Sequence, residues 1–132
     1  MKHVLLVHDA SEEAWSRQDY LERAGYQVTA VPSEAQCLEL LATKQPDLVV
    51  LDVLIEGRNG FEVCRHIRRT IPPKEMPIVL CSEIYRSSQF REEARNAGAQ
   101  GYLLKPCEPG ELLATIQGAL GMSSEPGDTA AA

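Results

Sequence analysis

Short apolar runs alternate five times with stretches of helical periodicity along this chain. Val4-Leu5-Leu6-Val7 reads as a strand, followed by a helix from about Ser11 to Ala24 that Gly25 stops. Gln27 to Val31 is the second strand, after which Ser33 caps a helix whose Ala35, Leu38 and Leu41 share a face and which Pro46 closes. Leu48-Val49-Val50-Leu51 is continuously apolar, as a parallel strand covered on both faces requires. A Gly-containing loop leads to a helix from Phe61 to about Arg69, broken by Thr70-Ile71-Pro72-Pro73. Pro77 to Cys81 is the fourth strand, Ser88 to Ala97 the fourth helix, Gly101 to Leu104 the fifth strand and Pro109 to Leu120 the last helix. Strand-then-helix alternation of this kind predicts a parallel α/β sheet with helices on both faces. The first helix fits least well, because Arg17 and Gln18 interrupt the apolar stripe of Ala14, Tyr20, Leu21 and Ala24. Trp15 on the same helix is expected to stand partly exposed.

At 132 residues the chain is long enough for one domain with a core and too short for two. The expected division is a domain over residues 1–120 and a Ser-, Gly-, Pro- and Ala-rich tail over 121–132 that reads as a linker or frayed terminus. A net charge of −6 argues against nucleic acid or anionic membranes as direct partners. No apolar run is long enough to span a bilayer, and the N-terminal run is interrupted by Asp9 too early for a signal peptide, so a cytoplasmic location is expected. The four cysteines, at 37, 64, 81 and 107, lack Cys-x-x-Cys or zinc-finger spacing and read as reduced small hydrophobes.

Open α/β sheets bind ligands at the carboxyl ends of their strands. Here the first strand ends in His8-Asp9, the third in Asp52, the fourth in Ser82 and the fifth in Lys105-Pro106. Two carboxylates suit a hard cation such as Mg²⁺. A lysine and a hydroxyl beside them suit an incoming phosphoryl group.

The run from Leu51 through Asp52, Gly57 and Gly60 to Glu62 resembles the segment around the phosphorylated aspartate of response-regulator receiver domains, whose glycines fall five and eight residues after that acid. Ala97 to Pro106 is similar to the family's segment leading into its active-site lysine and cis-proline. The resemblance covers roughly Lys2 to Leu120. It implies a flavodoxin-like, doubly wound five-stranded sheet of order 2-1-3-4-5 with five helices; the general rule for this strand order is illustrated in part by a chemotaxis member of the family. It also implies that Asp52 takes a phosphoryl group from a histidine kinase or phosphotransfer protein in two-component signalling. Mg²⁺ would be held by Asp9, Asp52 and the backbone carbonyl of Leu54. Ser82 would bond the phosphoryl oxygen and move, Tyr102 would turn inward as it does so, and Lys105 would pair with the acid and then with the phosphoryl group. A downstream protein or effector domain would dock on the face of the fourth helix, fifth strand and fifth helix, and a homodimer is possible. The chain could be a stand-alone receiver or the first domain of a longer regulator.

Four positions depart from the family's pattern: His8, Glu56, Glu83 and Cys107, the last standing where an apolar residue usually follows the proline. His8 stands where a second acid is usual, which should weaken Mg²⁺ because imidazole suits zinc or copper better than a hard ion. Glu56 replaces a common proline, and Glu83 follows Ser82 where a small residue is usual. Glu83 could restore the missing carboxylate or repel the phosphoryl group. A degenerate receiver that binds partners without phosphorylation is the alternative these positions raise. A metal-dependent phosphohydrolase would need a second acid near the nucleophile, and Asp52-Val53-Leu54 offers none at two residues. Flavin binding rests on fold analogy alone.

Overall fold

The computed structural model describes residues 2–8, 12–55, 58–82, 87–105 and 107–122. Its elements in chain order are β1 (His3–Val7), α1 (Glu12–Arg23), β2 (Gln27–Val31), α2 (Glu34–Thr43), β3 (Leu48–Asp52), β4 (Leu54–Ile55), β5 (Arg58–Asn59), α3 (Gly60–Arg68), β6 (Ile78–Ser82), α4 (Ser88–Asn96), β7 (Gly101–Leu104) and α5 (Pro109–Met122). Five strands form one parallel sheet in the order β2-β1-β3-β6-β7. Counting only those five along the chain, this is the expected order 2-1-3-4-5.

Strand periodicity sorts the core into two layers. Leu5, Val7, Val49, Leu51, Ile78 and Leu80 pack on one face with Cys37 of α2, Cys64 and Ile67 of α3 and Ala94 of α4. Val4, Leu6, Leu48, Val50, Val79 and Cys81 pack on the other with Leu21 of α1 and Leu112, Ile116 and Ala119 of α5. Every residue of β1, β3 and β6 is buried, which explains why these strands read as unbroken apolar runs. Each fully buried Leu, Ile or Val stabilises the fold by about 1.5–3 kcal/mol.

The expected helix ends are visible as caps. Ser33 accepts a hydrogen bond from the Gln36 N–H (3.2 Å) at the start of α2. At the end of α1, Tyr26 N–H donates to the Leu21 carbonyl and Gly25 N–H to that of Glu22, with Gly25 at φ 102°. The same pair of bonds closes α4 around Gly98, at φ 101°. Both are Schellman ends, whose left-handed residue favours glycine.

Three local expectations are corrected. The fourth strand of the sheet begins at Ile78, because Pro77 has no N–H to place in a ladder; its carbonyl still accepts from Val49 N–H (3.1 Å). The last helix continues past Leu120 through Gly121 to Met122. The segment after Asp52 is not plain loop, because β4 and β5 pair antiparallel, Leu54 with Asn59 and Ile55 with Arg58. Two residues per strand are too few to show a period in sequence.

Burial pushes the thiols of Cys37 and Cys81 up to about 12 and that of Cys64 up to about 11. Among the described residues no helix is long and apolar enough to cross a membrane.

Candidate functional site

Strand order reverses between β1 and β3, and the carboxyl ends of β1, β3, β6 and β7 meet around Asp52. Asp52 is the last residue of β3, opposite Cys81 of β6, and is buried at 8% exposure. Ser82 ends β6 and is buried. Lys105 follows β7, and its N–H donates to the Ser82 carbonyl (2.8 Å), which ties the two strand ends together. His8 follows β1, buried, with its N–H donating to the Val31 carbonyl of β2 (3.1 Å).

The structure thus brings together Asp52, Ser82 and Lys105 as the sequence predicts, with Lys105 Nζ 3.3 Å from Asp52 Oδ1. Asp9, Glu56, Gly57, Glu83 and Pro106, and with them the expected cis bond, lie outside the described residues.

Gly60 explains one glycine of the motif. A Cβ built there would stand 2.5 Å from the Asp52 carbonyl oxygen and 2.6 Å from the Val53 Cα. Only a residue without a side chain lets the first turn of α3 abut the backbone of the acid itself. Gly60 N–H donates to the Val53 carbonyl, and Asn59 Oδ1 caps α3 by accepting from Phe61 N–H (2.8 Å). Alternation of bonded and non-bonded pairs then turns the Leu54 carbonyl out of the β4–β5 ladder.

Phe61 links this end of α3 to the next expected residue. Its ring lies 6.4 Å from that of Tyr102, nearly parallel, and 6.4 Å from that of Phe90 on α4. Tyr102 is buried within β7, and Arg91 of α4 sits over its ring at 5.8 Å while donating to its carbonyl (3.2 Å).

One member of the site was misread in sequence. Arg17 interrupts the apolar stripe of α1, yet its side chain is only 10% exposed and Nη1 lies 3.8 Å from the same Asp52 Oδ1 that Lys105 contacts. The available signal was its place one turn before Leu21, which is fully buried. A cation on that face needs an anion opposite.

Asp52 Oδ1 is buried without an aligned hydrogen bond among the described residues. Unit charges at these two separations attract by about 4–5 kcal/mol each at an effective dielectric of ~20. Withdrawing a carboxylate from water costs several kcal/mol, and the cations' own burial adds to that. Desolvation wins: burial holds the Asp52 carboxyl above its usual range against the opposing pull of Lys105, Arg17 and His8.

The Asp52 carboxylate and the outward Leu54 carbonyl are donors of the kind a hard, oxygen-seeking cation takes. The fit is partial, since two fixed cations already share Asp52 Oδ1. Among the described residues no three His, Cys, Asp or Glu side chains cluster as a metal site.

Comparison with known proteins agrees with this geometry. The profile of the response regulator receiver domain matches residues 4–117. The chain is 35% identical over 119 residues to the transcriptional regulatory protein GltR of Pseudomonas aeruginosa, covering 90% of this chain and 49% of that one. It is 36% identical over 121 residues to the transcriptional regulatory protein AfsQ1 of Streptomyces coelicolor, covering 91% and 52%. The BeF3-activated N-terminal receiver domain of Klebsiella pneumoniae RstA superposes with a TM-score of 0.80 at 30% identity, covering 89% of this chain and 97% of that one. The chain spans about half the length of the curated transcriptional regulators it matches. A buried acid, hydroxyl and lysine at three adjacent strand ends, on this fold and with these relatives, make the chain a member of the response-regulator receiver family of two-component systems.

Proposed function

We propose that Asp52 accepts a phosphoryl group from a histidine kinase or phosphotransfer protein in the cytoplasm, and that the modification switches protein–protein binding. The observation that carries this reading is the convergence of Lys105 Nζ, 3.3 Å from Asp52 Oδ1, with Ser82 on the adjoining strand end. Asp52 supplies the nucleophilic oxygen. Lys105 orients it and then meets the new negative charge, and the Ser82 hydroxyl follows the phosphoryl oxygen. The chain promotes its own phosphorylation and dephosphorylation and turns over no other substrate. Asp9, Asp52 and the Leu54 carbonyl would hold Mg²⁺, less tightly than a site with a second acid at His8. When bound, the ion supplies positive charge to the phosphoryl oxygens.

Movement of Ser82 would open room for Tyr102 to turn further inward and so alter the face of α4, β7 and α5, where an effector domain or separate partner docks. The contact of Arg91 on α4 with Tyr102 on β7 supports such a coupling.

Acetyl phosphate with Mg²⁺ is expected to add one phosphoryl group, read by intact mass. Asp52→Asn should abolish the adduct, and an adduct that persists in Asp52→Asn overturns the assignment.

A further inference from the structure

Arg17 is buried more deeply than a solvated helix residue would be. Its side chain is 10% exposed, and Nε is buried without a hydrogen-bond partner among the described residues. Nη1 reaches Asp52 Oδ1 at 3.8 Å, close enough for charge contact and too far for a hydrogen bond. The side chain also lines a pocket of about 120 Å³ between α1 and α5, with Ser16, Tyr20, Cys107, Pro109 and Leu112. A buried guanidinium with a donor unpaired among the described residues is costly unless a further anion completes it.

We propose that Arg17 is a phosphoryl-binding residue, and that its fixed charge takes over part of the work of a divalent cation at Asp52. The inference rests on Asp52 being the phosphoacceptor. Among the described charges in contact, Asp52 contributes one negative charge and Lys105 and Arg17 two positive ones. A phosphoryl group brings about −1.5 to −2 at pH 7, so the modified site approaches balance without a metal ion. The planar guanidinium presents Nη1 and Nη2 as a fork that suits two phosphoryl oxygens at once, with Nη1 already turned to the Asp52 carboxylate. The unmodified carboxylate leaves Arg17 just out of hydrogen-bond reach, and a tetrahedral group attached to it carries three oxygens outward into such a gap. In the resting protein the same fixed charge opposes entry of a divalent ion.

With acetyl phosphate the step is simple to balance. An Asp52 carboxylate oxygen forms a bond to phosphorus while the bond from phosphorus to the acetate oxygen breaks. The electron pair leaves with acetate, and no proton moves.

The test compares the full chain with Arg17→Met and Arg17→Lys, each verified as folded by its thermal melt. Mg²⁺ affinity is read first from the fluorescence of Trp15, the single tryptophan, two residues from Arg17. Arg17→Met should bind Mg²⁺ about tenfold more tightly, because a competing charge is gone. Phosphorylation by acetyl phosphate is then followed by intact mass with Mg²⁺ and with a chelator. Without metal, Arg17→Met should lose about tenfold or more of the rate kept by the unchanged chain, and Arg17→Lys should recover part of it. Equal metal-free rates, or an unchanged Mg²⁺ affinity in Arg17→Met, overturn the proposal. Absence of any adduct with Mg²⁺ in the unchanged chain defeats the phosphoacceptor reading itself, a result distinct from indifference to Arg17.

Discussion

His8 follows β1 close to Asp52, buried at 8% exposure. A neutral imidazole there spares Asp52 a repulsive neighbour, and a protonated one attracts it. A carboxylate would do the opposite and would attract a divalent ion. His8→Asp is therefore expected to tighten Mg²⁺ by about tenfold, the part of the attraction that survives desolvation and repulsion among the acids. The same change should lower the melting temperature without metal and restore it when Mg²⁺ is added. Calorimetric titration and thermal melts check both halves. An affinity unmoved by the substitution would mean that Glu83 or another acid already fills this role.

At the scale of elements, one side chain ties several segments together at the end of the sheet far from Asp52. Arg68, on the last turn of α3, donates to the carbonyls of Gly98 (2.9 Å), Ile71 (3.0 Å) and Met76 (2.7 Å) and to Gln100 Oε1 (2.8 Å). Gln100 Oε1 also accepts the Ile78 N–H that opens β6 (2.9 Å). The guanidinium thus closes α3, the turn into β6 and the α4–β7 turn onto one another. Arg68→Ala leaves several half-buried carbonyls without donors and should cost about 2–4 kcal/mol, measured by urea unfolding. Neither this latch nor Arg17 was legible in the sequence. Apolar periodicity found the strands because β1, β3 and β6 are buried on both sides, and it found the helix ends because Gly25 and Gly98 mark them. It scores an arginine only as a gap in a stripe. The partners that bury Arg17 and Arg68 are distant in sequence and come from other strands and turns. Asp52, Ser82 and Lys105 were legible for a different reason, since each ends an apolar run and the fold brings such ends together. The β4–β5 hairpin was not, being too short to have a period.

For the molecule as a whole, His3 couples stability to pH. It lies at the opposite end of the sheet from the site, where its Nε2 meets Thr29 Oγ1 (2.8 Å) and its backbone N–H donates to Asp47 Oδ2 (2.7 Å). Burial, and after it the charge of Lys44, lowers its pKa below 6.5 against the smaller pull of Asp47. The unfolded chain then binds the proton more readily than the folded one. Its contribution is fully present above pH 6.5 and is lost as the pH falls from 6.5 through the lowered folded value, by at most about 1.4 kcal/mol per pH unit. His3→Gln should flatten the pH dependence of the unfolding free energy in that window. Chemical denaturation at a series of pH values gives the comparison, and parallel curves for the two proteins would exclude His3 as the source.

The cysteines differ among themselves in one further respect. Thiolates rather than thiols react with electrophiles. Cys37, Cys64 and Cys81 are buried, with their thiols held near 11 to 12, so they stay protonated at neutral pH. Cys107 is half-exposed and lines the pocket that Arg17 shares. In the folded state the chain therefore carries its own address for chemical labelling: one accessible sulfur beside the arginine, with three more that unfolding would reveal.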